Sequence, residues 1–103
     1  MKREDGLRIA QQFKKHLLKK GYPIQQVILY GSVAKGTAHA QSDIDIAVVT
    51  KAFLASQMQE NVDIFIESKH IDLRIETVTL HPEDFQLPYF TLAREIERTG
   101  LHA

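Results

Sequence analysis

Between Asp5 and Lys20 the apolar residues Leu7, Ala10, Phe13, Leu17 and Leu18 recur at helical spacing, interleaved with and followed by Lys14, Lys15, Lys19 and Lys20. The pattern predicts an amphipathic helix that Gly21 and Pro23 bring to a stop. The runs "QVILY" (26–30) and "IDIAVV" (44–49) are β-branched and apolar on both faces, as expected of strands buried within a sheet. The stretch "GSVAKGTAHAQS" between them predicts a loop with one helical turn. Leu54, Met58, Val62 and Phe65 have helical spacing, and although "VDIFIE" alone alternates like a strand, helix is the better reading for most of 51–69. Strict alternation over 70–80 predicts a third strand, with Ile71, Leu73 and Ile75 on one side and Asp72, Arg74 and Glu76 on the other. "HPEDF" then reads as a turn, and "PYFTLAREIERTG" as a last helix packing Phe90, Leu92, Ala93 and Ile96. The order α, β, β, α, β, α gives an α/β (α+β) fold, a small mixed sheet with flanking helices.

Composition narrows the function classes more than the fold. A chain of 103 residues, 44% hydrophobic and 25% charged, suits one domain spanning 1–103 with a modest core. Lys+Arg 13 against Asp+Glu 13 leaves no general attraction to nucleic acid or an anionic membrane, so any such binding would have to be local. The absence of cysteine removes disulfides, thiolate catalysis and cysteine zinc sites together. No apolar run has the length of a membrane span, and the N-terminus lacks the core of a signal peptide, so a cytoplasmic location is expected. The histidines at 16, 39, 70, 81 and 102 show no metal-ligand spacing and read as structural or surface residues.

Candidate chemistry is concentrated in "YGSVAKGTAHAQSDIDIAVV". A Walker P-loop would need lysine directly after the second glycine, whereas Lys35 precedes Gly36. A calcium loop starting at Asp43 would need a turn glycine and a twelfth-position glutamate, and Leu54 stands there instead. What remains is Gly31 and Ser32, a spacer of ten residues, then Asp43, Ile44 and Asp45. A glycine at a strand end lets backbone approach a phosphate, and Ser32 adds a hydroxyl. Aspartates at i and i+2 on a strand share a face, so both carboxylates can grip one hard cation. Alone, "SDID" would read as a strand cap; the Gly31–Ser32 pair at this spacing argues for a site.

These residues resemble the signature of the nucleotidyltransferase superfamily related to DNA polymerase β: GS, a spacer, then DxD. The spacer of ten, "SDIDIAVV" and "AKGTA" look most like the minimal nucleotidyltransferase (MNT) group. The resemblance implies a polymerase β-like core and magnesium-dependent transfer of a nucleoside monophosphate from ATP or another NTP to a hydroxyl. It implies two Mg2+ ions, held by Asp43, Asp45 and a third carboxylate. Glu76 is preferred for that third place, because "DLRIE…HPEDF" is similar to a subgroup of minimal transferases, with Asp72 as the alternative. Gly31 and Ser32 would hold phosphate. Lys35 would touch the triphosphate or stay solvated, and Arg74 would neutralise the carboxylates, contact phosphate or form a structural ion pair.

The resemblance also implies an acceptor presented by another polypeptide, since a core of this size leaves no room for an acceptor domain. A recurrent partner in the MNT group is a small helical HEPN protein, often a toxin, which the transferase inactivates by adding AMP to a tyrosine. The chain is therefore expected to be a protein adenylyltransferase, the antitoxin of a HEPN/MNT toxin–antitoxin pair. The alternative is a non-catalytic module that keeps the fold and binds a partner by surface contact alone. Neutral charge argues against a nucleic-acid acceptor. Self-association stays open, because small transferase cores often bury apolar surface against a copy.

Overall fold

The computed structural model describes residues 1–39 and 42–103; Ala40 and Gln41, inside the expected loop, lie outside the described residues. Its centre is a four-stranded sheet in the order β3-β2-β1-β4, formed by β1 (Ile24–Tyr30), β2 (Ile44–Thr50), β3 (Ile75–Leu80) and β4 (Leu101–His102). β1 runs antiparallel to β2 and to β4, and β2 runs parallel to β3, so the sheet is mixed as expected. Parallel neighbours need a crossover, and α3 (Gln57–Ser68) provides it. The helices α1 (Arg3–Lys19), α2 (Gly31–Lys35) and α4 (Thr91–Thr99) complete the chain, with a 3-10 turn at Pro82–Gln86.

Alternation along the strands sorts the core into two layers. Val27, Leu29, Ile44, Ile46, Val48 and Ile75 face α1 and α3 and pack with Phe13, Leu17 and Ile64. Ile28, Ala47, Val49 and Leu80 face the other way and meet Ile96 of α4, with Tyr30, Val78, Phe85 and Phe90 beside them. Each fully buried aliphatic side chain here contributes about 1.5–3 kcal/mol.

One expectation is corrected, and two features appear that the sequence did not announce. The third strand begins at Ile75, because 70–74 turn out of α3 and Lys69 closes that turn with hydrogen bonds to the Leu73 and Ile75 carbonyls. Asp72 and Arg74 therefore precede the strand. β4, two residues long, has no periodicity to announce it and forms because Gly100 delivers Leu101 and His102 beside Ile28 and Leu29. α3 is a helix, yet it turns its apolar ridge outward: Met58 is 78% exposed and Leu54, Val62 and Ile66 about half, while Glu60, Ile64, Glu67 and Ser68 are buried.

The inversion has a physical reason. Glu60, fully buried, accepts hydrogen bonds from the Phe53 and Leu54 N–H groups and pairs with His81 at 2.6 Å. Glu67 pairs with His16 at 2.7 Å and Lys20 at 3.0 Å. Buried carboxylates are tolerated when their lone pairs are met in this way. Here they tie α3 to α1 and to the loops around it. Among the described residues no helix is long and apolar enough to cross a membrane.

Candidate functional site

The sheet brings the predicted acids together through its register. Asp45 stands beside Tyr30 of β1 on one side and Glu76 of β3 on the other, so these three side chains leave the sheet on one face. That is the α4 face, since Ala47 and Val49, two and four residues on, pack against Ile96. Asp43 lies one residue before β2 and is exposed, as is Glu76; Asp45 is half-buried. Among the described residues no three Asp, Glu or His side chains close around a common point. The carboxylates form an open row rather than a finished cage.

Chain geometry at the end of β1 explains Gly31. Its φ of 73° lies in the left-handed region, and a Cβ built there would fall 2.4 Å from Asp45 Oδ2. Glycine is thus required both by backbone conformation and by the carboxylate packed against it. From Gly31 the chain enters the short helix α2, which carries Ser32 half-buried and Lys35 exposed at its end. Arg3 of α1 donates to the Ala34 carbonyl at 2.7 Å and anchors α2 from behind.

Electrostatics mark the row as uncompensated. Burial raises the Asp45 carboxyl above its ordinary value, and the charges of Asp43, Glu76 and Glu95 raise it further. Burial likewise pushes the Tyr30 hydroxyl up to about 12, with Asp45 and Glu95 adding to the effect. Glu95, on α4, was not singled out by the sequence; it reads there as one more exposed helical acid. Only the sheet parity that puts Asp45 and α4 on the same face could have found it. Lys35 reaches across to Glu95 at 3.3 Å, a position the loop expectation did not foresee.

Asp72 is elsewhere. Arg74 grips it with two side-chain hydrogen bonds, 3.0 and 2.8 Å, and the Arg74 N–H donates a third at 2.9 Å. Those bonds hold the Asp72 carboxyl below the usual range. Arg74 also borders a shallow hollow with Met1, Asp5, Arg8 and Ile9 on the side of α1. A cavity of about 400 Å³ lined by Gln26, Ile28, Val49, Pro82, Phe85 and His102 sits toward the other end of β1 and β2.

Residues 11–99 match the sequence model of the family described as polymerase beta, nucleotidyltransferase. The chain belongs to this nucleotidyltransferase family. None of the curated proteins matches it. Among solved structures it resembles a toxin–antitoxin complex with AMP-PNP (TM-score 0.66, 22% identity, covering 90% of this chain and 70% of the other). It also resembles a protein named as a minimal nucleotidyltransferase (TM-score 0.65, 19% identity, 98% and 95% covered). A third likeness is to a complex of a tri-AMPylated HEPN toxin from Shewanella oneidensis with an MNT antitoxin (TM-score 0.56, 18% identity, 94% and 70% covered). At these identities the likeness carries the fold, the polymerase β-like nucleotidyltransferase core expected from the motif.

Proposed function

We propose that this nucleotidyltransferase moves AMP from ATP to a hydroxyl of a partner protein, and that the partner is a small helical HEPN-type toxin. The observation that carries the reading is the register of the sheet, which sets Asp45 beside Glu76 and two residues from Asp43 at an open sheet end. The titration of Asp45 supports it: the row holds more negative charge than its surroundings compensate, and a divalent cation would offset that charge. Oxygen-only donors suit magnesium, which takes one or two carboxylates and completes its shell from phosphate and water, so an open row fits.

In this reading Asp43, Asp45 and Glu76 would hold two magnesium ions, which when bound would supply charge neutralisation for the triphosphate and a lowered pKa for the acceptor hydroxyl. Gly31 lets its backbone approach phosphate while fixing the Asp45 carboxylate against it. Ser32 offers a hydroxyl at the first turn of α2, and Lys35 a cation at its end. Asp72, committed to Arg74, serves the turn before β3. The open sheet end lets the acceptor arrive on another protein, and the likeness to a complex of a tri-AMPylated HEPN toxin with an MNT antitoxin supports that reading.

The test is label transfer. The purified chain, Mg2+ and a cognate HEPN protein are incubated with ATP labelled on the α-phosphate or on the γ-phosphate, beside an Asp43→Asn, Asp45→Asn variant. Label on the partner from α-labelled ATP alone, lost in the variant, is expected. Neutralisation of the partner that survives the loss of both aspartates would overturn the catalytic reading in favour of a binding module.

A further inference from the structure

Lys35 is the cation of the Gly31–Gly36 segment, and it is already engaged: its Nζ lies 3.3 Å from Glu95 Oε1, sixty residues away in sequence. The helix that carries Glu95 is anchored, because Ile96 is 1% exposed in the core under α4 and Ala93 is fully buried. Lys35 ends a four-carbon stem, and the two paired side chains are 43% and 37% exposed. The pair lies within reach of solvent beside the carboxylate row.

We propose that Glu95 is a positioning residue that competes with the nucleotide triphosphate for Lys35 and so sets nucleotide affinity. The inference rests on the nucleotidyltransferase reading of the row above. A triphosphate offers Lys35 a larger negative charge than one carboxylate does, so the lysine exchanges partners when nucleotide binds. Breaking the Lys35–Glu95 pair is a cost that nucleotide binding must meet, so it opposes binding of ATP. Glu95 acts through Lys35 and touches no reacting atom.

The experiment is a double-mutant cycle on affinity for AMP-PNP with Mg2+, measured by titration calorimetry on the wild type, Glu95→Gln, Lys35→Ala and the pair. Circular dichroism melts check that each variant is folded. Glu95→Gln is expected to tighten binding about two- to fivefold, the range an exposed ion pair is worth, and high salt should shrink the gain. In the Lys35→Ala background the same substitution should change affinity by a factor of about one. An equal gain in both backgrounds overturns the proposal, since Glu95 would then act only through its field. So does an unchanged or weakened affinity in Glu95→Gln while the wild type binds. A folded wild type that does not bind AMP-PNP fails the nucleotide-site reading itself, a result distinct from the other two.

Discussion

Gly31→Ala separates backbone strain from damage to the site. Gly31 has φ 73°, where an L side chain costs about 1–2 kcal/mol. The new Cβ would also stand 2.4 Å from Asp45 Oδ2 and 3.2 Å from its Cγ. The nearest atom is the end of a half-buried side chain, so Asp45 swings aside at little energetic cost, moving its carboxylate by about 1 Å to restore van der Waals contact. Displacement of that size in a reacting constellation costs on the order of 100-fold in rate. Gly21→Ala is the control: Gly21 has φ 88° and an added Cβ would meet nothing within 4 Å. Both variants should lose about 1–2 kcal/mol, a drop in Tm of roughly 5–15 °C for a domain of this size. Only Gly31→Ala should lose transfer. Melting curves and the α-phosphate label assay measure the two quantities, and Gly31→Ala retaining near wild-type transfer, or Gly21→Ala losing as much, would refute the reasoning.

Glu76→Gln should lower label transfer by about 100-fold or more and Asp72→Asn by only a few-fold, because Asp72 is committed to Arg74; equal losses would remove the distinction drawn between them. Glu60→Ala should cost about 3–5 kcal/mol in urea unfolding, since it orphans the Phe53 and Leu54 N–H groups and His81 in a buried place. Asp45→Asn should instead raise Tm at neutral pH while abolishing transfer, because it removes a charge that its carboxylate neighbours repel; a lower Tm would count against the site as drawn. The Glu67 carboxyl is held below its ordinary value by the His16 hydrogen bond, with burial opposing and Lys20 assisting. Its stabilisation is therefore present above the unfolded glutamate value of about 4.3 and lost as pH falls through the lower folded value. Urea midpoints should drop across that acid range, and Glu67→Gln should flatten the slope.

Strands β1 and β2 were legible because Val27–Leu29 and Ile46–Val49 are buried on both faces, which leaves short apolar runs, and α1 because one of its faces is buried. The spacing of Gly31, Ser32, Asp43 and Asp45 was legible because a strand end and a period of two fix where such side chains go. What failed was packing that depends on partners distant in sequence. Periodicity identified α3 as a helix without saying which face packs, and Glu60 and Glu67 take inner positions with His81, His16 and Lys20, residues no local pattern connects to them. The run 70–74 alternates like a strand, but Lys69 and the Asp72–Arg74 fork hold it in a turn. Glu95 stayed hidden for the same reason: its importance comes from which face of the sheet α4 covers.

The carboxylates of this chain fall into two groups, and the contrast is the strongest physical argument for where its chemistry lies. Glu60 and Glu67 are the more deeply buried, and each is surrounded by donors. Burial pushes Glu60 up, but the Phe53 and Leu54 N–H groups and His81 outweigh it, and its carboxyl ends below the ordinary value. Asp45, half-buried, ends above it, because burial raises it unopposed by donors and its acidic neighbours on the sheet and on α4 raise it further. The fold evidently supplies donors to acids that it must bury, so leaving Asp45 among Asp43, Glu76 and Glu95 is a retained penalty rather than a limit of the architecture. Lys35, at the end of α2, is attached to Glu95. A half-buried acid raised by burial and by acidic neighbours gains from added positive charge, which is why the proposed site for cation and phosphate is placed at this row.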